Sequence, residues 1–249
     1  MIATLDSFPP TASMRAVLPS GAQVLSRMWI LVLGLIFVTT NQSATAMSVE
    51  VIEDQMILSG DVTHAIDAAF SWQFEYHNSQ RLITTVVLRN SRGGYVTSIW
   101  SVMRSIRSRE LRTVVSGHCF SACALLFLSG AQRHFADEPA EKTRLGFHAI
   151  ETFDVYGPSM NEFQKRTVLS YIGSKADEDL VNQWITITGP GLMMFFDTRR
   201  LQKLDGIGGF LCVGREKNLT ECAKLQGKDV YTAGIVTSPT LIKVKKPLQ

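Results

Sequence analysis

The chain has 249 residues, of which 45% are hydrophobic and 19% charged, with a formal net charge of +3. That content can bury one substantial core and excludes a disordered or low-complexity chain. The small net charge argues against a nucleic-acid partner, and the one basic cluster (Arg104, Arg107, Arg109) falls at an expected helix end, where cations are ordinary.

Residues 1–27 are rich in Ser, Pro and Ala, with Arg15 and Arg27 the only basic residues and Asp6 the only acidic one. Trp29 to Val38 is an apolar run, and Ala44-Thr45-Ala46 follows as a small-x-small site. This pattern reads as a secretory signal peptide over 1–46, cleaved after Ala46, or as an uncleaved membrane anchor; the run is short for a full span. Either way residues 47–249 form one domain outside the cytoplasm, periplasmic or tethered to the membrane and facing away from the cytoplasm. Four cysteines suit that compartment. Cys212 and Cys222 bracket a polar turn and can close a short loop. Cys119 and Cys123 stand at helical spacing, where a bridge is awkward. Four cysteines allow three pairings, and spacing does not choose. A zinc site is not expected, because His118 has no second C-x-x-C pair near it.

In the domain, Val49–Val51 and Met56–Leu58 suggest a strand pair, and Asp61 an N-cap for the next helix. Val62 to Tyr76 has helical apolar spacing, and Ile83 to Leu88 is a β-branched run that suits a buried strand. The strand leads into Asn90-Ser91-Arg92-Gly93-Gly94. A helix follows with Val96, Ile99, Met103 and Ile106 on one stripe. Leu111 to Val115 is the next strand, broken by Gly117. Ala122 onward is a short buried helix. Residues 132–144 read as a polar loop. Leu145 to Ile150 is a strand carrying His148. Ser159-Met160-Asn161-Glu162 is a capping box that opens a helix to about Ile172. Asp177-Glu178-Asp179 opens another, which Gly189-Pro190-Gly191 stops. Phe195-Phe196-Asp197-Thr198 precedes a short helix from Arg199 to Leu204, and Gly206-Ile207-Gly208 a final strand. Lys243, Lys245 and Lys246 read as a solvated tail. Strands alternating with helices argue an α/β architecture.

Three positions carry candidate chemistry. Ser121 stands where a strand becomes a helix, beside amides with no internal partner, which suits a nucleophile as well as an ordinary N-cap. The Gly94 amide can form half of an oxyanion hole, or Gly93-Gly94 can be a plain turn. His148 can be a general base or a structural histidine.

Taken together, Asn90-Ser91-Arg92-Gly93-Gly94, Gly117-His118-Cys119-Phe120-Ser121-Ala122 and Gly146-Phe147-His148 resemble, in order and spacing, the Clp protease proteolytic subunit family of the ClpP/crotonase superfamily. The likeness covers most of residues 48–210. It implies a β-β-α superhelix, here with a short C-terminal extension bearing the Cys212 and Cys222 pair. It also implies a serine peptidase with Ser121 as nucleophile, His148 as base, and the Gly94 and Ala122 amides as oxyanion hole. No cofactor or metal is implied. The partners implied are a peptide or protein substrate and further copies of the chain. Two departures stand out. Arg92 replaces the family's proline. No aspartate falls cleanly on the place of the family's third catalytic residue: Gly189 to Met194 occupy it, and Asp197 is the nearest carboxylate. An inactive member, acting through its surface or membrane tether, is the alternative. The acyl-CoA chemistry of the crotonase branch suits an exported chain poorly. An ATPase partner is not carried over, since ATP is lacking outside the cytoplasm.

Overall fold

A computed structural model of the chain describes residues 46–150, 158–200, 207–212, 222–227 and 229–246. The expected export segment over 1–46 lies almost wholly outside them. Among the described residues no helix is long and apolar enough to cross a membrane.

Among the described residues the domain is α/β, built on a nine-stranded mixed sheet with five α-helices. The strands are β1 (Ser48–Ile52), β2 (Gln55–Ser59), β3 (Thr85–Ser91), β4 (Arg112–Phe120), β5 (Arg133–Phe135), β6 (Arg144–Phe147), β7 (Leu192–Phe196), β8 (Ile207–Cys212) and β9 (Ala223–Gln226). The helices are α1 (Ile66–Asn78), α2 (Trp100–Ser108), α3 (Ala122–Leu128), α4 (Pro158–Ile172) and α5 (Glu178–Trp184). The sheet order is β1-β2-β3-β4-β6-β7-β8-β9, with β5 also paired to β4. β2, β3, β4 and β6 run parallel, whereas β1 and β7 to β9 pair antiparallel.

The apolar runs of β2 to β4 follow from burial on both faces, which parallel strands require. Met56, Leu58, Val86, Leu88 and Val115 point into the main core with residues of α1, α2 and α3, while Ile57, Val87 and Val114 form a second cluster on the other face. All seven residues of α3 are buried, so its apolar sequence reflects a helix enclosed on every side. Phe147, Trp184 and Phe195 pack as an aromatic group between β6, α5 and β7.

Four readings are corrected here. The expected solvated tail is docked: Ile242 and Val244 cover the second cluster, and Gln55 donates to the Lys243 carbonyl (2.9 Å) and accepts from the Lys245 amide (2.9 Å). The expected loop over 132–144 contains β5, and its Arg133 is 2% exposed. That guanidinium donates to the carbonyls of Leu128, Gly130, Tyr171, Ile172, Gly234 and Ile235, of which Leu128 ends α3 and Tyr171 and Ile172 end α4, where the dipole is negative. Asp61 does not cap α1; its carboxylate receives the Arg92 backbone amide (2.7 Å) and side chain (2.7 and 3.0 Å). Gly117 does not end β4. The strand continues to Phe120 through an irregularity in which Arg89 pairs with Ser116 but Ser91 with Cys119. Asn90 Oδ1 occupies the space a Cβ on Gly117 would need, at 2.0 Å. The expected helix from Arg199 falls mostly on 201–206, outside the described residues.

Candidate active site

Ser121 is the single residue between β4 and α3, and its backbone is at φ 55° and ψ −125°. A non-glycine residue there is strained by about 1–3 kcal/mol and persists only where its surroundings hold it; such outliers cluster at active sites. Its amide donates to the Gly146 carbonyl (2.8 Å), and its own carbonyl starts the helix by accepting from Leu125 (3.1 Å). The side chain makes no capping hydrogen bond, so the N-cap reading fails. The serine is half-buried.

The local sequence explains the turn. Cys119, next to last in β4, lies in the main core, and Cys123, second in α3, lies in the same core. The two are bridged, with Cα atoms 5.2 Å apart. The expectation of an awkward bridge assumed continuous helix; the left-handed backbone at Ser121 folds strand onto helix and brings the two close. Cys212 and Cys222 form the second bridge.

The glycine turn after β3 lies directly against this elbow. A Cβ on Gly93 would stand 2.5 Å from Ser121 Cβ, 2.7 Å from the Phe120 carbonyl and 3.1 Å from the Ala122 nitrogen. The turn is held from outside. Val62 donates to the Gly93 carbonyl (2.7 Å) and accepts from Tyr95 (3.2 Å), a parallel bridge centred on Gly94. In such a bridge the central residue's own amide points away from the partner. The Gly94 and Ala122 amides have no acceptor among the described residues, and the second heads a helix, where the dipole is positive. Arg92 ties the turn to Asp61.

His148 follows β6 immediately. β4 and β6 are parallel neighbours with Phe120 opposite Gly146, so Ser121 and His148 emerge side by side at the carboxyl ends of strands about 5 Å apart. Crevices outside such strand ends are where open α/β sheets bind ligands. The His148 backbone is fixed on both sides. Gln164 of α4 donates to its carbonyl (2.9 Å) and accepts from Ile150 (2.8 Å), and Ala149 donates to the Ile187 carbonyl (2.9 Å).

Asp197 is not brought to this place. β7 runs antiparallel to β6 with Arg144 opposite Phe196, so Asp197 is level with Thr143, five residues along β6 from His148. At about 3.3 Å per residue that is roughly 16 Å. Its carboxylate, 1% exposed, accepts from the Tyr231 hydroxyl (2.9 Å) and from Arg200 Nε. Asp197 therefore locks β7 to the 229–236 segment and does not orient His148. The segment 151–157 next to His148 lies outside the described residues.

His118, on β4 opposite Arg144, packs 5.3 Å from the Phe120 ring, over which Arg144 also lies. Burial pushes its pKa below the usual histidine value, the Arg144 and Arg92 charges add to this, and Asp61 opposes it. Among the described residues no grouping of three or more His, Cys, Asp or Glu is arranged to hold a metal ion. Two features of the site were not read from the sequence. Gln164 stands on an ordinary amphipathic helix, and nothing in its surroundings along the chain marks it. The Cys119–Cys123 bridge had a signal, a C-x-S-x-C bracket, that helical spacing concealed.

A scan against protein-family models finds no matching family, and a search of curated proteins finds no match.

Proposed function

We propose that this chain is an exported serine peptidase of ClpP-like architecture, cleaving peptide bonds with Ser121 and His148. The observation that carries the reading is the strained Ser121 elbow, set against the Gly93-Gly94 turn, with the Gly94 and Ala122 amides lacking an acceptor among the described residues and with His148 just past the end of the next parallel strand. Ser121 Oγ forms a bond to the peptide carbonyl carbon while His148 takes the hydroxyl proton. The Gly94 and Ala122 amides hold the tetrahedral oxyanion; one such donor is typically worth about 10²–10³ in rate. The C–N bond then breaks, His148 passes its proton to the leaving amine, and water hydrolyses the acyl-serine by the same route in reverse. The likeness to self-associating family members extends the proposal to a homo-oligomer, and the export segment to a periplasmic or tethered location.

A second reading, an inactive fold that acts as a binding protein, is favoured by the place of Asp197. Asp197, engaged with Tyr231 and Arg200, does not supply the orienting acid, and loss of that acid in serine proteases costs about 10⁴ in rate. A fluorophosphonate probe decides between the two. Labelling of wild type that disappears in Ser121→Ala and falls strongly in His148→Ala supports the peptidase. A folded wild type that takes no label, or labels equally after Ser121→Ala, overturns it.

A further inference from the structure

The Cys119–Cys123 bridge encloses the Ser121 elbow, and its place in the fold differs from that of a general stabilising cross-link. It joins the penultimate residue of β4 to the second residue of α3, with Ser121 at the centre of a five-residue loop. So short a loop restricts the unfolded chain less than a long one does. Both cysteines are fully buried among Leu, Phe and Val side chains of the main core, so packing alone holds them inside. Among the described residues there is no free cysteine to exchange with the bridge. What the bridge restricts is the angle between strand and helix.

That angle is where Ser121 needs help. Its φ of 55° is unfavourable for any residue with a Cβ, and it lacks a side-chain cap bond. The remaining local restraint is one amide bond to Gly146 and the first bond of α3. The Gly93 turn lies beside the Ser121 Cβ, where only a residue without a Cβ fits. We infer that the Cys119–Cys123 disulfide is a positioning device that clamps Ser121 in its strained conformation and keeps the Ala122 amide aimed beside it. The inference rests on the reading of Ser121 as nucleophile, but its structural half stands independently. It also links the site to its compartment, since the clamp forms only where disulfides persist.

The test compares wild type, Cys119→Ala/Cys123→Ala and Cys212→Ala/Cys222→Ala, each expressed as the full exported chain. Three readings are taken: the Ser121 backbone angle in a crystal structure, the saturable rate of fluorophosphonate labelling, and the melting temperature. In the 119/123 variant Ser121 is expected to leave positive φ. The limiting labelling rate should fall about tenfold or more, as sub-ångström misplacement of a reacting group does, with the half-saturating probe concentration unchanged. The 212/222 variant should keep both. A folded 119/123 variant with φ near that of wild type and an undiminished limiting rate overturns the clamp. If wild type takes no label, the peptidase reading falls and the Ser121 angle still decides the clamp. If the alanine pair does not fold, Cys119→Ala/Cys123→Val restores core volume; failure of both makes the bridge a global staple and overturns the inference.

Discussion

Gly93 lies against Ser121 so closely that a methyl group on it would sit 2.5 Å from the serine Cβ. The contact ties the two loops of the candidate site to one another, and it explains why this turn needs glycine on two grounds: φ is +96°, and there is no room. Gly93→Ala is therefore expected to lower stability by more than about 2 kcal/mol, from strain and overpacking together. It should also abolish probe labelling. Urea denaturation and labelling check it, and an alanine variant with the wild-type midpoint would show that the two loops are not in contact.

Gln164 is 1% exposed and satisfies one carbonyl and one amide of the segment that carries His148. Replacing it by leucine strands both groups, each worth about 1–3 kcal/mol when buried without a partner. Gln164→Leu should therefore lower the denaturation midpoint and slow labelling further than Gln164→Glu, which keeps an acceptor for Ile150. Equal behaviour of the two variants would mean that the hydrogen bond to Ile150 is immaterial.

Arg133 donates to six buried carbonyls, and burial first, then neighbouring Arg107, pushes its pKa down to about 10. It remains a cation at neutral pH. Arg133→Met keeps much of the volume and removes the guanidinium, leaving the Gly130, Ile172, Gly234 and Ile235 carbonyls without their donor while Arg107 still donates to Leu128 and Tyr171. A loss of about 3–5 kcal/mol is expected, typical of breaking a buried charged network. Calorimetry on the purified variant measures it, and a loss below about 1 kcal/mol would contradict this account.

His118 and His134 both have pKa values held below the ordinary 6.5, in each case chiefly by burial; Arg144 adds to this at His118 and Arg112 at His134, while the Thr240 carbonyl opposes it at His134. The unfolded chain therefore takes up these protons first as pH falls. The stability they permit is complete above about pH 6.5 and declines below it, toward their folded values. Denaturant midpoints between pH 5 and 8 should show the decline, and His134→Asn should flatten it. A midpoint independent of pH across this range would refute the assignment.

Much of the architecture was legible because it is local. β-branched runs, helical apolar stripes and the glycine turn are statements about neighbours along the chain, and they placed most elements within a few residues. Gly94 and Ser121 were read just past strand ends for the same reason, and His148, read as part of its strand, lies one residue beyond it. Asp197 was misjudged because nearness in sequence to a family position says nothing about strand direction: β7 runs antiparallel to β6 and carries the carboxylate to the opposite end. Asp61 was misjudged because a capping residue and a salt-bridge acceptor look alike until Arg92 is seen beside it.

Composition and pattern alone determined an α/β chain with four cysteines and a serine at a strand-to-helix junction. Folding decided the rest: the bridge between Cys119 and Cys123, the burial of Arg133 under carbonyls from three segments, and the contact of Gly93 with Ser121. These depend on a backbone angle at one residue and on pairings between distant segments. Neither leaves a trace in local spacing, because residues that meet across a sheet need share no pattern along the chain.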